Sequence, residues 1–143
     1  MSRTHYFSIA AVLLCAAGLA AQEAPKKVER TTVPMTSPAS GREMFLSYCA
    51  PCHGKDAKGN GPAASALKVA PANLTELAKS NNGKYPAFKV TSVLNGQTDL
   101  AAHGNKEMPI WGKVFWKMSG GHEAEVEQRI ANLNHYVESL QVK

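Results

Sequence analysis

The chain has 143 residues, a formal net charge of +5 and three cysteines. That length leaves room for one small domain once an N-terminal leader is set aside. The basic residues are dispersed and belong to no recognised nucleic-acid-binding motif, so we expect no nucleic acid partner. Only Cys49 and Cys52 lie outside the leader, which excludes a disulfide-rich scaffold.

Residues 1–21 have the pattern of a secretory signal peptide. Arg3 supplies a positive start, residues 7–19 are mostly apolar, and small residues follow as far as Ala21. The apolar run is shorter than the roughly 20 residues that a membrane-spanning helix needs. We therefore predict export to the periplasm with cleavage near Ala21. Retention of the leader would instead give a membrane-anchored protein that faces the periplasm.

Residues 22–39 predict a flexible linker, because three prolines lie among polar residues without apolar periodicity. The folded domain is predicted at residues 40–143. Ser40 and Glu43 have the spacing of a capping box, which indicates a helix that begins after Ser40.

Cys49, Cys52 and His53 form a C-x-x-C-H motif at the end of that helix. Two thiols at this spacing can each add across a vinyl group of haem, and the adjacent histidine then lies beneath the iron. Similar cysteine pairs occur in zinc sites and in thiol redox sites. A structural zinc site needs four ligands and the chain has no second cysteine pair, while a thioredoxin-like site would accompany a βαβ pattern that is not found. The motif predicts one covalently attached haem c with its iron on His53.

The rest of the chain reads as helical. Short helices are predicted at residues 74–79 and 86–94, the second ending at Asn95 and Gly96. A longer amphipathic helix is predicted from apolar residues that recur at intervals of four and three, namely Val126, Ile130, Leu133, Val137 and Leu140. Strand-like alternation is scarce, so the predicted fold class is all-α.

From residue 40 to residue 141, the order of these elements resembles the class I (mono-haem) c-type cytochromes. Gly41 and Phe45 match the glycine and the aromatic residue on the first helix of that family, and Leu133 and Tyr136 match positions on its last helix. The resemblance implies a cytochrome c-like fold, in which the N-terminal and C-terminal helices cross over the bound haem.

The resemblance also implies the two axial ligands of the iron. His53 would bind iron through one ring nitrogen and donate its other N–H to a proline carbonyl, for which Pro62 is the match and Pro71 the alternative. Met108 would be the sixth ligand, because the methionine-proline pair that it begins resembles the ligand segment of the family. His103 is the competing sixth ligand, and two nitrogen ligands would give a lower potential than methionine with histidine.

Three aromatic residues are candidates for the haem crevice. Trp111, Trp116 and Tyr85 could each pack on the porphyrin edge and donate a hydrogen bond to a propionate. Ordinary core packing is the alternative for each of them.

The predicted function is electron transfer, since a substrate cannot reach an iron whose axial positions are both filled by protein. The chain is then a carrier that cycles between Fe(III) and Fe(II), and not an enzyme. Residues 41–120 contain ten Lys or Arg against five Asp or Glu. Five lysines near the ligand segments predict docking to a redox partner with an acidic patch: Lys55, Lys58, Lys106, Lys113 and Lys117.

Two other functions stay open. A labile sixth ligand would allow peroxidase-like activity or ligand sensing, with His103 as the nearby acid or base. The chain could also be a haem subunit of a larger oxidase or dehydrogenase complex, attached through its N-terminal segment.

Overall fold

The computed structural model describes residues 33–97 and 108–142. The described part is all-helical and has no strands, as the sequence predicts. The predicted signal peptide, residues 22–32 of the predicted linker, His103 and Lys106 lie outside the described residues. None of the described helices is long and apolar enough to cross a membrane.

Five α-helices lie within the described residues. They are α1 (Gly41–Met44), α2 (Ala50–His53), α3 (Ala87–Asn95), α4 (Trp111–Met118) and α5 (Glu123–Ser139). A π-helical turn at Phe45–Cys49 joins α1 to α2, so residues 41–53 form one continuous helical segment, hereafter the motif helix. Three short 3₁₀ turns lie at Ala64–Ala66, Leu74–Glu76 and Lys79–Asn81.

The motif helix starts where the capping box predicts. The Ser40 hydroxyl accepts a hydrogen bond from the Glu43 amide at 3.2 Å. The Glu43 carboxylate, however, accepts from the Ser37 amide at 3.3 Å, farther upstream than a capping box requires. The π-helical turn directly precedes the second half of the C-x-x-C-H motif, and such turns are frequent at functional sites.

Gly41 allows the motif helix to lie directly against α5. A Cβ atom at Gly41 would stand 2.7 Å from the backbone carbonyl carbon of Asn132 and 2.9 Å from Cβ of Tyr136. Phe45, one turn later, is fully buried and its ring centre lies 5.3 Å from that of Tyr136. The predicted contact between the first and last helices is therefore confirmed, and Leu133 is fully buried in the same core.

Helices α3 and α4 complete the layer around α5, and both pack against it. Helix α3 ends at Asn95 with Gly96 in the left-handed region, as predicted. The buried Asn134 of α5 donates to the Ala87 carbonyl and to the Thr91 hydroxyl of α3, each at 2.8 Å. Helix α4 was not among the predicted elements.

Residues 33–40, hereafter the N-terminal strap, differ from the flexible linker that the sequence predicts. Thr36 is buried, and its carbonyl accepts a hydrogen bond from Nη1 of Arg129 at 2.9 Å. The Pro38 carbonyl accepts a hydrogen bond from Nδ2 of the Asn132 side chain at 2.9 Å. Composition marks this segment as polar and proline-rich, but it does not show that two side chains of α5 bind its carbonyls. The ordered domain consequently begins before Ser40.

Candidate haem site

The two motif cysteines lie on successive turns of the motif helix and are not joined in a disulfide. Cys49 is buried and Cys52 is partly exposed. Burial, and to a smaller extent the neighbouring Cys52, raises the pKa of the Cys49 thiol to about 12. Burial thus favours the neutral form of the Cys49 thiol, and the side chain packs as part of the core.

A loop folds back over the end of the motif helix and binds its last carbonyl groups. The carbonyls of Pro51, Cys52 and His53 accept hydrogen bonds from the amides of Ala63, Gly61 and Gly59, at 2.8, 3.0 and 2.7 Å respectively. Carbonyls at a helix end have no partner inside the helix, so this loop supplies them. A Cβ atom at Gly61 would meet the carbonyl oxygens of the motif helix, which shows how closely the loop approaches the motif.

The His53 ring is held by a carbonyl, but not by the one predicted. Its Nδ1 atom lies 3.0 Å from the carbonyl oxygen of Ala72. The sequence prediction that Pro62 supplies this acceptor is therefore wrong, and the alternative Pro71 is one residue away from the true acceptor. Pro62 instead stands on the exposed outside of the loop, after the glycine that contacts the motif.

The segment that carries this acceptor is fixed by two glycine-dependent turns. Gly54 has φ +80° and reverses the chain directly after the motif. Gly59 has φ +84°, and a Cβ atom there would run into the carbonyl of Pro71. The Leu74 amide donates to the carbonyl of Ala57 at 2.8 Å. Together these contacts place residues 71–74 beside His53.

Met108 is half-buried and packs against the hydrophobic core. Two residues later, Ile110 fills the space beside Gly96, where a Cβ atom would come within 2.7 Å of Cγ2 of Ile110. Trp111 is buried, and its ring stacks on that of Tyr48, with 5.2 Å between the ring centres and 24° between the planes. The methionine-proline segment is thus anchored on its C-terminal side by two packed side chains.

The other two aromatic candidates have different surroundings. The Tyr85 hydroxyl donates to the carboxamide oxygen of Asn134 at 2.6 Å, and burial, followed by the charge of Glu138, raises the pKa of its phenol. Trp116 is half-exposed on α4. Tyr85 therefore has a partner within the protein, which fits the core alternative for this residue.

The described surface of α3 and α4 is basic. Residues 77–97 and 108–122 contain five lysines and no acidic residue. Lys113 and Lys117 are exposed on α4, and Lys55 and Lys58 are exposed on the loop after the motif. Most acidic residues of the described chain lie on α5, so the charge of the domain is segregated.

The residues at the motif fit a covalently attached haem. The chain offers two thiols on one helical segment, and a histidine whose Nδ1 lies within hydrogen-bonding distance of a carbonyl oxygen, so that Nε2 would be the ring nitrogen that binds a metal. Histidine ligands of metals use one ring nitrogen in this way and orient the ring through the other. Met108 contributes a half-buried thioether, which is a type of ligand that haem iron accepts.

Comparison with known families gives a match that includes this motif. Residues 36–98 match the family described as cytochrome C oxidase, cbb3-type, subunit III. The chain contains a c-type cytochrome domain. The match begins at Thr36, within the N-terminal strap, and ends just after α3. Neither curated proteins nor solved structures gave a significant match.

Sequence reasoning placed Tyr48 on the inward face of the first helix, but it missed the buried Arg129 and the hydrogen-bond partner of Tyr48. Arg129 is 2% exposed and contacts both the N-terminal strap and Glu125. The Tyr48 hydroxyl donates to the Pro34 carbonyl at 2.7 Å. Arg129 occupies the turn between two core positions of α5, Val126 and Ile130, and this placement is a signal that it faces inward. Nothing in the local sequence indicates its partners.

Proposed function

We propose that the chain is a mono-haem electron carrier with His53 and Met108 as axial ligands and Cys49 and Cys52 as the covalent attachment points. The bond between Nδ1 of His53 and the Ala72 carbonyl carries the proposal, because it fixes a ligand ring next to the two thiols. When bound, haem c supplies an iron that changes by one electron between Fe(III) and Fe(II).

The protein's own residues would keep that change of charge free of large rearrangements. The hydrogen bond to Ala72 holds the orientation of the imidazole and raises its basicity. Met108 is held on its C-terminal side by the packing of Ile110 and Trp111. Ligands that stay in place in both oxidation states need little reorganisation, which suits a carrier better than a catalyst.

The basic surface supports a redox partner with an acidic patch. The exposed lysines of the loop and of α4 would steer such a partner at long range, and the effect would weaken as ionic strength rises. We further propose that the protein is exported to the periplasm, because the N-terminal residues have the pattern of a signal peptide.

The family match favours a second candidate function. The matched family is described as a subunit of a cbb3-type cytochrome oxidase, so the domain could deliver electrons as part of an assembly. A free carrier would elute as a monomer after membranes are removed, whereas an assembled subunit would remain with the membrane fraction in a larger complex. Size-exclusion chromatography of both fractions, followed by haem staining, distinguishes the two.

The sixth ligand is tested by the visible spectrum of the reduced holoprotein with and without carbon monoxide. Carbon monoxide binds ferrous haem only where an axial position is open, so the wild-type spectrum should change only at gas concentrations far above those that convert Met108→Leu. The spectrum of the Met108→Leu variant should shift clearly when the gas is added. Met118→Leu is the matched control, because Met118 is also half-buried against the core and should leave the spectrum unchanged.

A wild-type spectrum that shifts at the same carbon monoxide concentration as that of Met108→Leu would refute the closed iron site. The peroxidase-like or sensing alternative would then take its place. An unchanged spectrum for both wild type and Met108→Leu would show that another residue is the ligand, and His103→Leu would then be tested in the same way.

A further inference from the structure

A directed chain of hydrogen bonds runs from α5 through the N-terminal strap to the motif helix. Nη1 of Arg129 donates to the Thr36 hydroxyl at 3.2 Å, and the hydroxyls of Thr36 and Tyr48 lie 2.7 Å apart. The Tyr48 hydroxyl donates to the carbonyl of Pro34 at 2.7 Å. Because a hydroxyl has one proton, Tyr48 must accept from Thr36 while it donates to Pro34. Each hydroxyl proton in this series of hydrogen bonds then has an acceptor, and hydrogen bonds linked in series strengthen one another.

This series of hydrogen bonds ends at Tyr48, whose side chain lies between the two ligand segments. Tyr48 directly precedes Cys49 in the motif helix, and its ring stacks on Trp111, the third residue after Met108. Pro109 stiffens the connection between Met108 and α4, because its ring fixes the backbone φ angle. A displacement of Trp111 is therefore passed on to the methionine.

We propose that Tyr48 is a positioning residue for the sixth iron ligand, holding the Met108 segment against the motif helix through its stack on Trp111. This inference rests on the proposed ligation by Met108. The hydroxyl fixes the ring through Thr36 and Pro34, and the ring fixes Trp111. The N-terminal strap would thus contribute to closing the iron site although it supplies no ligand.

The structure offers a matched control at Tyr85. Both tyrosines donate their hydroxyl to an acceptor within the domain, Pro34 for Tyr48 and Asn134 for Tyr85. Tyr48→Phe and Tyr85→Phe each remove one hydroxyl and keep the ring. Only Tyr48 contacts Trp111, so the two variants share a loss of stability and differ in their connection to Met108.

The experiment measures the apparent affinity of the reduced holoprotein for carbon monoxide. That affinity scales with the fraction of molecules whose sixth position is open. Losing one hydrogen bond of ordinary strength corresponds to about a fivefold change in such an equilibrium. We expect Tyr48→Phe to raise the apparent affinity about fivefold and Tyr85→Phe to leave it unchanged.

Two further variants separate positioning from a general loss of structure. Trp111→Leu removes the stack and should raise the affinity for carbon monoxide, whereas Trp111→Phe keeps a ring and should restore most of the wild-type behaviour. Thr36→Val removes the hydroxyl that donates to Tyr48 with little change of shape. Thr36→Val should raise the affinity for carbon monoxide, as Tyr48→Phe does. It replaces Tyr48→Phe in the experiment if the Tyr48→Phe variant does not bind haem.

Equal effects of Tyr48→Phe and Tyr85→Phe would overturn the inference, because stability alone would then explain both. A Met108→Leu background distinguishes failure of the inference from failure of the proposed function. If Met108 is the ligand, Tyr48→Phe has no further effect once the methionine is removed. If wild type already binds carbon monoxide as strongly as Met108→Leu, the proposed function fails first and the positioning role fails with it.

Discussion

The ion pair between Arg129 and Glu125 supports a quantitative prediction about stability. Arg129 is 2% exposed, whereas the Glu125 side chain is 32% exposed. Nε and Nη2 of Arg129 both donate to one carboxylate oxygen of Glu125, at 3.0 and 2.8 Å. Replacing Glu125 by Leu leaves a buried cation without its counter-ion. Breaking a buried pair in this way costs about 3–5 kcal/mol.

Replacing the other member of the pair, Arg129, should reduce the free energy of unfolding by less. Arg129→Met keeps an unbranched apolar chain in the core and leaves a partly solvated carboxylate, which water can satisfy. The main loss is the donor to the Thr36 carbonyl, and an unsatisfied buried acceptor costs about 1–3 kcal/mol. The double variant removes both charges together, so it should be less destabilised than the sum of the single variants.

Urea unfolding of the holoprotein, followed by haem absorbance and by circular dichroism, measures the three free energies of unfolding. The expected order of destabilisation is Glu125→Leu above Arg129→Met, with a coupling of about 1–3 kcal/mol in the double-mutant cycle. Additive effects would refute the reasoning, because they would mean that the pair contributes no interaction energy. An equal loss for both single variants would show that water reaches the guanidinium.

Three further predictions concern the helix crossing, the pH dependence and the turn beside the motif. Gly41→Ala should destabilise the domain by about 1–3 kcal/mol in thermal unfolding, because the new methyl group meets the Asn132 backbone; an unchanged midpoint would contradict the close approach. Folding raises the phenol pKa of Tyr85, so this group contributes stability below pH 10 that is lost as the pH rises above 10. In urea unfolding at a series of pH values, Tyr85→Phe should therefore lose less stability than wild type above pH 10. Parallel plots of unfolding free energy against pH for the two proteins would contradict the assignment. Gly59→Ala should raise the midpoint potential in a redox titration, since a displaced Ala72 carbonyl lowers the basicity of the motif histidine; an unchanged potential would show that the acceptor stays in place.

Features of this protein that depend on near neighbours along the chain were predictable from the amino-acid sequence. The C-x-x-C-H motif has its chemistry within five residues, and the Ser40 cap needs only the amide of Glu43. The periodicity of α5 and the Gly96 cap of α3 are likewise local. The apolar spacing of α4, at Trp111, Phe115 and Met118, was equally readable and was missed.

Contacts between residues far apart in the sequence became known only from the fold. The acceptor for His53 lies 19 residues away at Ala72, and a proline nearer in sequence was the wrong choice because the turn at Gly59 brings the later segment to the ring. Thr36 and Arg129 are 93 residues apart, and their hydrogen bonds turn part of a predicted linker into part of the domain. A buried polar group takes whichever partner the packing brings within reach, and local sequence does not encode that choice.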